Sequence, residues 1–177
     1  RFGLKTVLVE ADSGAIGGDQ SAEFMLPSDV GENTVISCDV SSWAANHEIA
    51  SCPKGKREPL LDQTDDLSLV ETPSQKSIEE VASFFDCKLE DILKARLYKK
   101  ESGGFVLCLL EGDRHVNEIK LNKLFPLENL LAASDEDIQK VSGAEAGFLG
   151  PLKLKEPCEI VLDDGVDEGL YCVGANK

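Results

Sequence analysis

The stretch from Cys52 to Asp66 constrains this chain more than any other feature. It carries Pro53, Gly55 and Pro59 among mostly charged or polar residues and sustains no apolar period. Such a segment gives neither a helix nor a strand a face to bury, so it reads as a linker. The chain therefore divides into residues 1–64 and 65–177, and each part has to bury apolar surface of its own. With 177 residues, 42% of them hydrophobic, there is enough material to do so.

The part before the linker is rich in strand signals. Residues 4–11 read as a strand, and Asp12 to Gly18 form a loop with three glycines. Residues 23–26 and 34–38 are two further short strands. Trp43, Ala44, Ala45 and Asn46 are expected to open a helix.

After Pro73 the pattern changes. Ser77 with Glu80 is a capping-box signature, and Ile78, Val81, Ala82 and Phe85 recur at i, i+3, i+4 and i+7, which puts one apolar face on a helix. A second short helix is expected over Leu89 to Lys94. Ala95 to Lys100 and Phe105 to Glu111 flank Ser102-Gly103-Gly104, a β-hairpin signal. Helices are predicted over Asn117 to Leu124 and from Ser134 to near Gly143, and late strands at 158–162 and 169–173. The fold class that follows is α+β, a mainly antiparallel (mixed) sheet surrounded by helices.

Several function classes fall away. No apolar run approaches the ~18 residues of a membrane span, and no secretory leader pattern is present, so a soluble cytoplasmic protein without a membrane partner is expected. The chain starts at Arg1 and its only methionine is Met25, as expected for an excised piece. The six cysteines lie far apart with no C-x-x-C pair, which predicts reduced, buried thiols and no zinc or other metal site. A net charge of −15 argues against a free-standing nucleic-acid binder, because Lys and Arg neutralising phosphate supply most of such binding. A local basic strip of Lys94, Arg96, Lys99 and Lys100 would have to serve instead.

Glu10-Ala11-Asp12-Ser13-Gly14-Ala15-Ile16-Gly17-Gly18, followed by Ser21-Ala22-Glu23-Phe24, closely resembles bacterial-type prolyl-tRNA synthetases. In that family the glycine-rich stretch follows motif 2 of the class II catalytic core. The resemblance implies that Gly17, Gly18, Ser21 and Glu23 line a proline and adenylate pocket of a larger parent. Asp39, Ala44-Ala45-Asn46 and Glu48 extend the match. Ala22 stands where histidine is common and Trp43 where tyrosine is usual. Residues 1–64 would then be a strand-rich strip of the synthetase core with its linker.

From about Val70 to Lys177 the chain resembles the editing insertion of the same synthetases and, more distantly, YbaK-type aminoacyl-tRNA deacylases. The match runs through Thr72-Pro73, Leu93-Lys94-Ala95, Gly112 to Lys120, Gly147-Phe148-Leu149-Gly150-Pro151, Val161-Leu162-Asp163 and Gly174-Ala175-Asn176. It implies catalytic roles for Lys94, Asn117, Gly147 and Asp163, and substrate binding by Ile78, Val81, Phe148, Gly150 and Pro151.

The residues alone allow plainer readings. A lysine at a helix end faces solvent and complements the dipole, Ile78 and Val81 face a core, and Asp163 ends a strand. His115 and His47 read as exposed, since the family places its histidine or arginine at the position of Arg114.

The implied reaction is hydrolysis of the ester joining alanine to the terminal ribose of proline tRNA, by a positioned water and without a cofactor. The parent would use ATP with Mg to join proline to tRNA, usually as a homodimer, and the remainder of that synthetase would be this chain's partner. Two rival readings are a non-catalytic module that binds the acceptor end and a free-standing trans-editing deacylase. The first draws on the family's editing-associated histidine, which lies a few residues beyond the position of Lys177.

Overall fold

The computed structural model describes residues 3–14, 18, 20–51 and 67–177. Gly17 and the boundary placed at residues 64/65 lie outside the described residues. The chain forms two compact units, residues 1–53 with 117–124, and residues 54–116 with 125–177.

The first unit is a four-stranded mixed sheet. Strands β1 (Val7–Ala11), β2 (Ser21–Met25), β3 (Val35–Ser37) and β4 (Ala44–Asn46) lie in the order β2-β1-β4-β3. β1 runs antiparallel to β2 from Val7↔Met25 to Ala11↔Ser21 and parallel to β4 at Glu10↔Ala45. Val9, Ala11, Ala44 and Ala45 are buried.

The helix expected from Trp43 does not form: residues 44–46 are a strand, paired antiparallel to β3 from Ser37↔Ala44 to Val35↔Asn46. Two alanines and an asparagine state no period of their own, so partners on both sides decide their conformation. The unit also contains the helix predicted over Asn117 to Leu124, formed at Glu118–Leu124 with Leu121 buried.

The second unit holds the larger sheet. Helix α1 (Ile78–Phe85) begins at the predicted capping box, with Ser77 Oγ accepting from Glu80 N and Ser77 N donating to the Glu80 carboxylate. A 3-10 turn, Leu89–Asp91, leads into β5 (Ile92–Lys100). Lys94 is therefore on a strand, and the short helix expected over Leu89 to Lys94 is reduced to one turn. β6 (Phe105–Glu111) returns antiparallel, from Lys99↔Phe105 to Leu93↔Glu111, through a turn in which Gly103 and Gly104 both take positive φ. That requirement explains the pair of glycines.

β7 (Leu130–Ala132), β8 (Cys158–Leu162) and β9 (Cys172–Val173) complete the sheet, in the order β7-β5-β6-β8 with β9 on β5. β8 lies parallel to β6. β5 takes β7 antiparallel along its last residues and β9 parallel at its first two. The helix predicted from Ser134 is Asp135–Ser142, capped by Ser134 and ended by Gly143 in the left-handed region. Leu97, Phe105, Leu107, Leu109, Val141 and Leu149 form the core between this helix and one sheet face. The two helices of the second unit and the one in the first make this a mixed α+β protein with two mixed sheets among the described residues. No described helix is long and apolar enough to cross a membrane. Cys38, Cys87, Cys108, Cys158 and Cys172 are free thiols.

Candidate functional site

The site is built at the start of β5 and the end of β6. Alternation along β5 turns Ala95 and Leu97 toward the core and puts Lys94 and Arg96 together on the opposite face. Lys94 Nζ donates to Gly112 O at 3.0 Å. Gly112 in turn donates its N–H to Leu89 O at 3.1 Å. A Cβ on Gly112 would lie 2.5 Å from Leu89 O and 2.9 Å from Ile78 Cγ2, so only glycine lets the turn after β6 close against α1 and receive the lysine. Ile78 and Lys94, expected in one site, are thus brought to the same glycine.

The ammonium of Lys94 is poised electrostatically. Burial holds it below the usual lysine range and the charge of Arg96 adds to that, while Asp113 and Glu79 act in the opposite direction. Sequence reasoning placed Arg96 in a basic strip but not in the site, although the i, i+2 spacing on a strand carries that signal. The rest of the strip is spent: Lys99 pairs with Asp137 at 3.0 Å and Lys100 with Glu159.

The Gly147 to Pro151 loop is held by the chain end. Gly147 is exposed with φ 103°. Asn176 clips the loop with both ends of its side chain: Oδ1 accepts from Gly150 N at 2.7 Å, and Nδ2 donates to Gly150 O at 3.0 Å and to Leu152 O. Asn176 N also donates to Phe148 O at 3.0 Å. A Cβ on Gly150 would meet Gly174 O at 1.6 Å, and one on Gly174 would meet Leu149 O at 2.3 Å, so the two segments touch backbone to backbone. Since Val173 pairs with Leu93, this clip sets the loop beside the residue preceding Lys94. Leu149 and Gly150 are buried, and Phe148 and Pro151 are half-buried. Val81 is also half-buried, on α1 one turn beyond Ile78.

Asp163 follows β8. Its N–H donates to Leu109 O at 2.9 Å, and its carboxylate accepts from Gly165 N at 2.9 Å and faces Arg114 Nη1 at 3.6 Å. Asn117 belongs to the first unit, where Nδ2 donates to Glu48 O at 2.7 Å and Oδ1 accepts from Lys120 N at 3.1 Å. Both ends of its amide are thus engaged, in capping its helix and holding the 46–50 turn. Ser21 and Glu23 lie on β2, half-buried and exposed respectively, and Gly18 O accepts from Ser13 Oγ at 3.0 Å. His47 and His115 are exposed.

The five-stranded sheet, the lysine drawn onto a glycine turn beneath a helix, and the glycine loop clipped by Asn176 all fall within residues 72–177. Those residues match the family model for the aminoacyl-tRNA editing domain. The chain belongs to that family. Its curated relatives include the proline–tRNA ligases of Dehalococcoides mccartyi, 42% identical over 178 residues, and of Bacillus licheniformis, also 42% identical over 178 residues. In both comparisons the whole of this chain is matched, and it spans about 30% of the length of these relatives. A crystal structure reported as that of a candidate trans-editing enzyme for prolyl tRNA synthetase is 23% identical, with a TM-score of 0.49, over 52% of this chain and 57% of that one.

Proposed function

We propose that this chain is the editing portion of a prolyl-tRNA synthetase and hydrolyses alanine from mischarged proline tRNA. The observation that carries this reading is the Lys94 ammonium, held on Gly112 O beside Ile78 within the matched editing domain. An ammonium fixed by one hydrogen bond keeps two further donors for a terminal phosphate or a developing oxyanion.

In the proposed reaction a water oxygen attacks the carbonyl carbon of the alanyl ester. The bond to the ribose oxygen breaks, that oxygen takes up a proton, and alanine and free tRNA leave. Lys94 and the backbone around Gly147 orient the ester, with Asp163 at the rim of the site. Ile78, Val81 and Phe148, with the Gly150-Pro151 turn, measure the side chain, admitting alanine and excluding proline. A second, smaller sieve is needed because a missing methylene is worth only about 1–3 kcal/mol of discrimination in the first.

For the longer protein, residues 1–64 would be a strip of a class II catalytic core, with Gly17, Gly18, Ser21 and Glu23 in its proline and adenylate pocket. The whole would join proline to tRNA with ATP and Mg as a cytoplasmic homodimer.

Incubating the chain with alanyl-tRNA specific for proline and following alanine release tests the reading. Release that Lys94→Ala abolishes while the fold persists is the expected result. Binding of the acceptor end without release would replace the hydrolase by a recognition module.

A further inference from the structure

The turn that receives Lys94 also carries a second, unassigned arrangement. Glu111, the last residue of β6, is buried, with its side chain only 8% exposed. A carboxylate in such a place is costly unless paired. Its partner is Arg114, whose Nε lies 2.8 Å from Glu111 Oε2 and whose N–H donates to Glu111 O at 3.0 Å. The same guanidinium turns Nη1 toward Asp163 Oδ1 at 3.6 Å. Gly165 makes this possible: a Cβ there would lie 2.7 Å from Arg114 Cζ and Nη1 and from Asp163 Oδ1. The guanidinium therefore lies across a glycine turn whose amide already holds Asp163.

We propose that Arg114 is a positioning residue of the editing site, braced by the buried Glu111 and fixing the Asp163 carboxylate relative to the turn on which Lys94 is held. The inference rests on the editing function proposed above. One turn, residues 111–114, supplies both the carbonyl for Lys94 and the guanidinium for Asp163. The two groups, one on β5 and the other just after β8, share one rigid reference. The guanidinium is suited to this because its planar fork meets two carboxylates in fixed directions. A lysine ammonium, a point charge on a flexible stem, does not.

The experiment compares Arg114→Met, Arg114→Lys and Gly165→Ala, alone and on an Asp163→Asn background, in the whole 177-residue chain. Alanine release from alanyl-tRNA specific for proline is measured together with exchange of the Gly165 amide. Arg114→Met and Gly165→Ala are each expected to lower kcat by roughly tenfold with KM within about twofold, since misplacing a group by a fraction of an ångström costs rate rather than binding. Arg114→Lys should lie between Arg114→Met and wild type. On the Asp163→Asn background, Arg114→Met should cost nothing further, because residues acting as a unit are not additive.

The Gly165 amide, which donates to the Asp163 carboxylate, should exchange faster in every Arg114 variant. Full multiplication of the two kinetic losses, or unchanged Gly165 exchange, overturns the proposal. If wild type releases no alanine, the function proposed above fails. The Gly165 exchange then still decides whether Arg114 holds Asp163.

Discussion

Lys94 joins the two sides of this protein's chemistry, because its charge is both partly desolvated and held by a backbone carbonyl. Folding lowers its affinity for a proton, so the folded chain binds fewer protons than the unfolded chain between its lowered value and the ordinary 10.5. Stability contributed through this group must therefore rise with pH across that window and be smallest below it. Comparison with Lys94→Met, which carries no ionisable group at this position, isolates the contribution. Urea unfolding of the two proteins from about pH 8 to about pH 11 should show wild type gaining on the variant as pH rises. A difference independent of pH would mean that the ammonium is as well solvated in the folded chain as in the unfolded one. The motif around Lys94 singles it out as a candidate site residue, but its setting was not readable there. A helix-end lysine would be solvated, and the strand position is what presses it against Gly112.

At the scale of elements, what the sequence disclosed was whatever is decided locally. The Ser77 capping box formed where predicted, and the helix predicted from Ser134 starts there on a capping box of its own, because a cap is a bargain among four neighbouring residues. The Gly103-Gly104 turn formed because its backbone angles exclude other residues at little cost. The strand at Ala44–Asn46 was missed because its partners lie at Glu10 and at 35–37, and the strand at Leu130–Ala132 because its partner is the far end of β5. Leu89 to Leu97 mixes apolar and charged residues at spacings that suit either period, and pairing with β6 settles it as strand from Ile92. The same dependence on distant segments makes the Asn176 clip invisible in sequence, though Gly150 and Gly174 both mark a close backbone approach. Asn176→Ala removes three side-chain hydrogen bonds and leaves the buried Gly150 amide without its acceptor. The expected cost is about 1–3 kcal/mol in chemical unfolding, with amide exchange rising selectively over residues 147–152. A loss of stability with no change in exchange there would show that the loop is held by its own packing.

The whole molecule sets a limit that no single contact reveals. A net charge of −15 repels a polyanion at distance, and two of the four cations in the basic strip are already committed to Asp137 and Glu159. Lys94 and Arg96 remain on one face of β5 to meet phosphate. On the proposed function the ligand is a single-stranded acceptor end, for which log affinity falls with log salt by about 0.7 per phosphate neutralised. Two such contacts give a slope no steeper than about −1.4, and added salt also screens the long-range repulsion, which flattens it further. Binding of deacylated proline tRNA, titrated from about 50 to about 200 mM salt, should therefore be weak and only mildly salt-dependent, and Arg96→Ala should reduce the slope by roughly 0.7. A slope near −4 or steeper would require cations beyond this pair, and with them a different docking face. If the shallow slope holds, recognition rests on the fit of the aminoacyl end. The burden of holding the rest of the tRNA then passes to other parts of a longer protein, where a tethered site gains its effective concentration without any charge of its own.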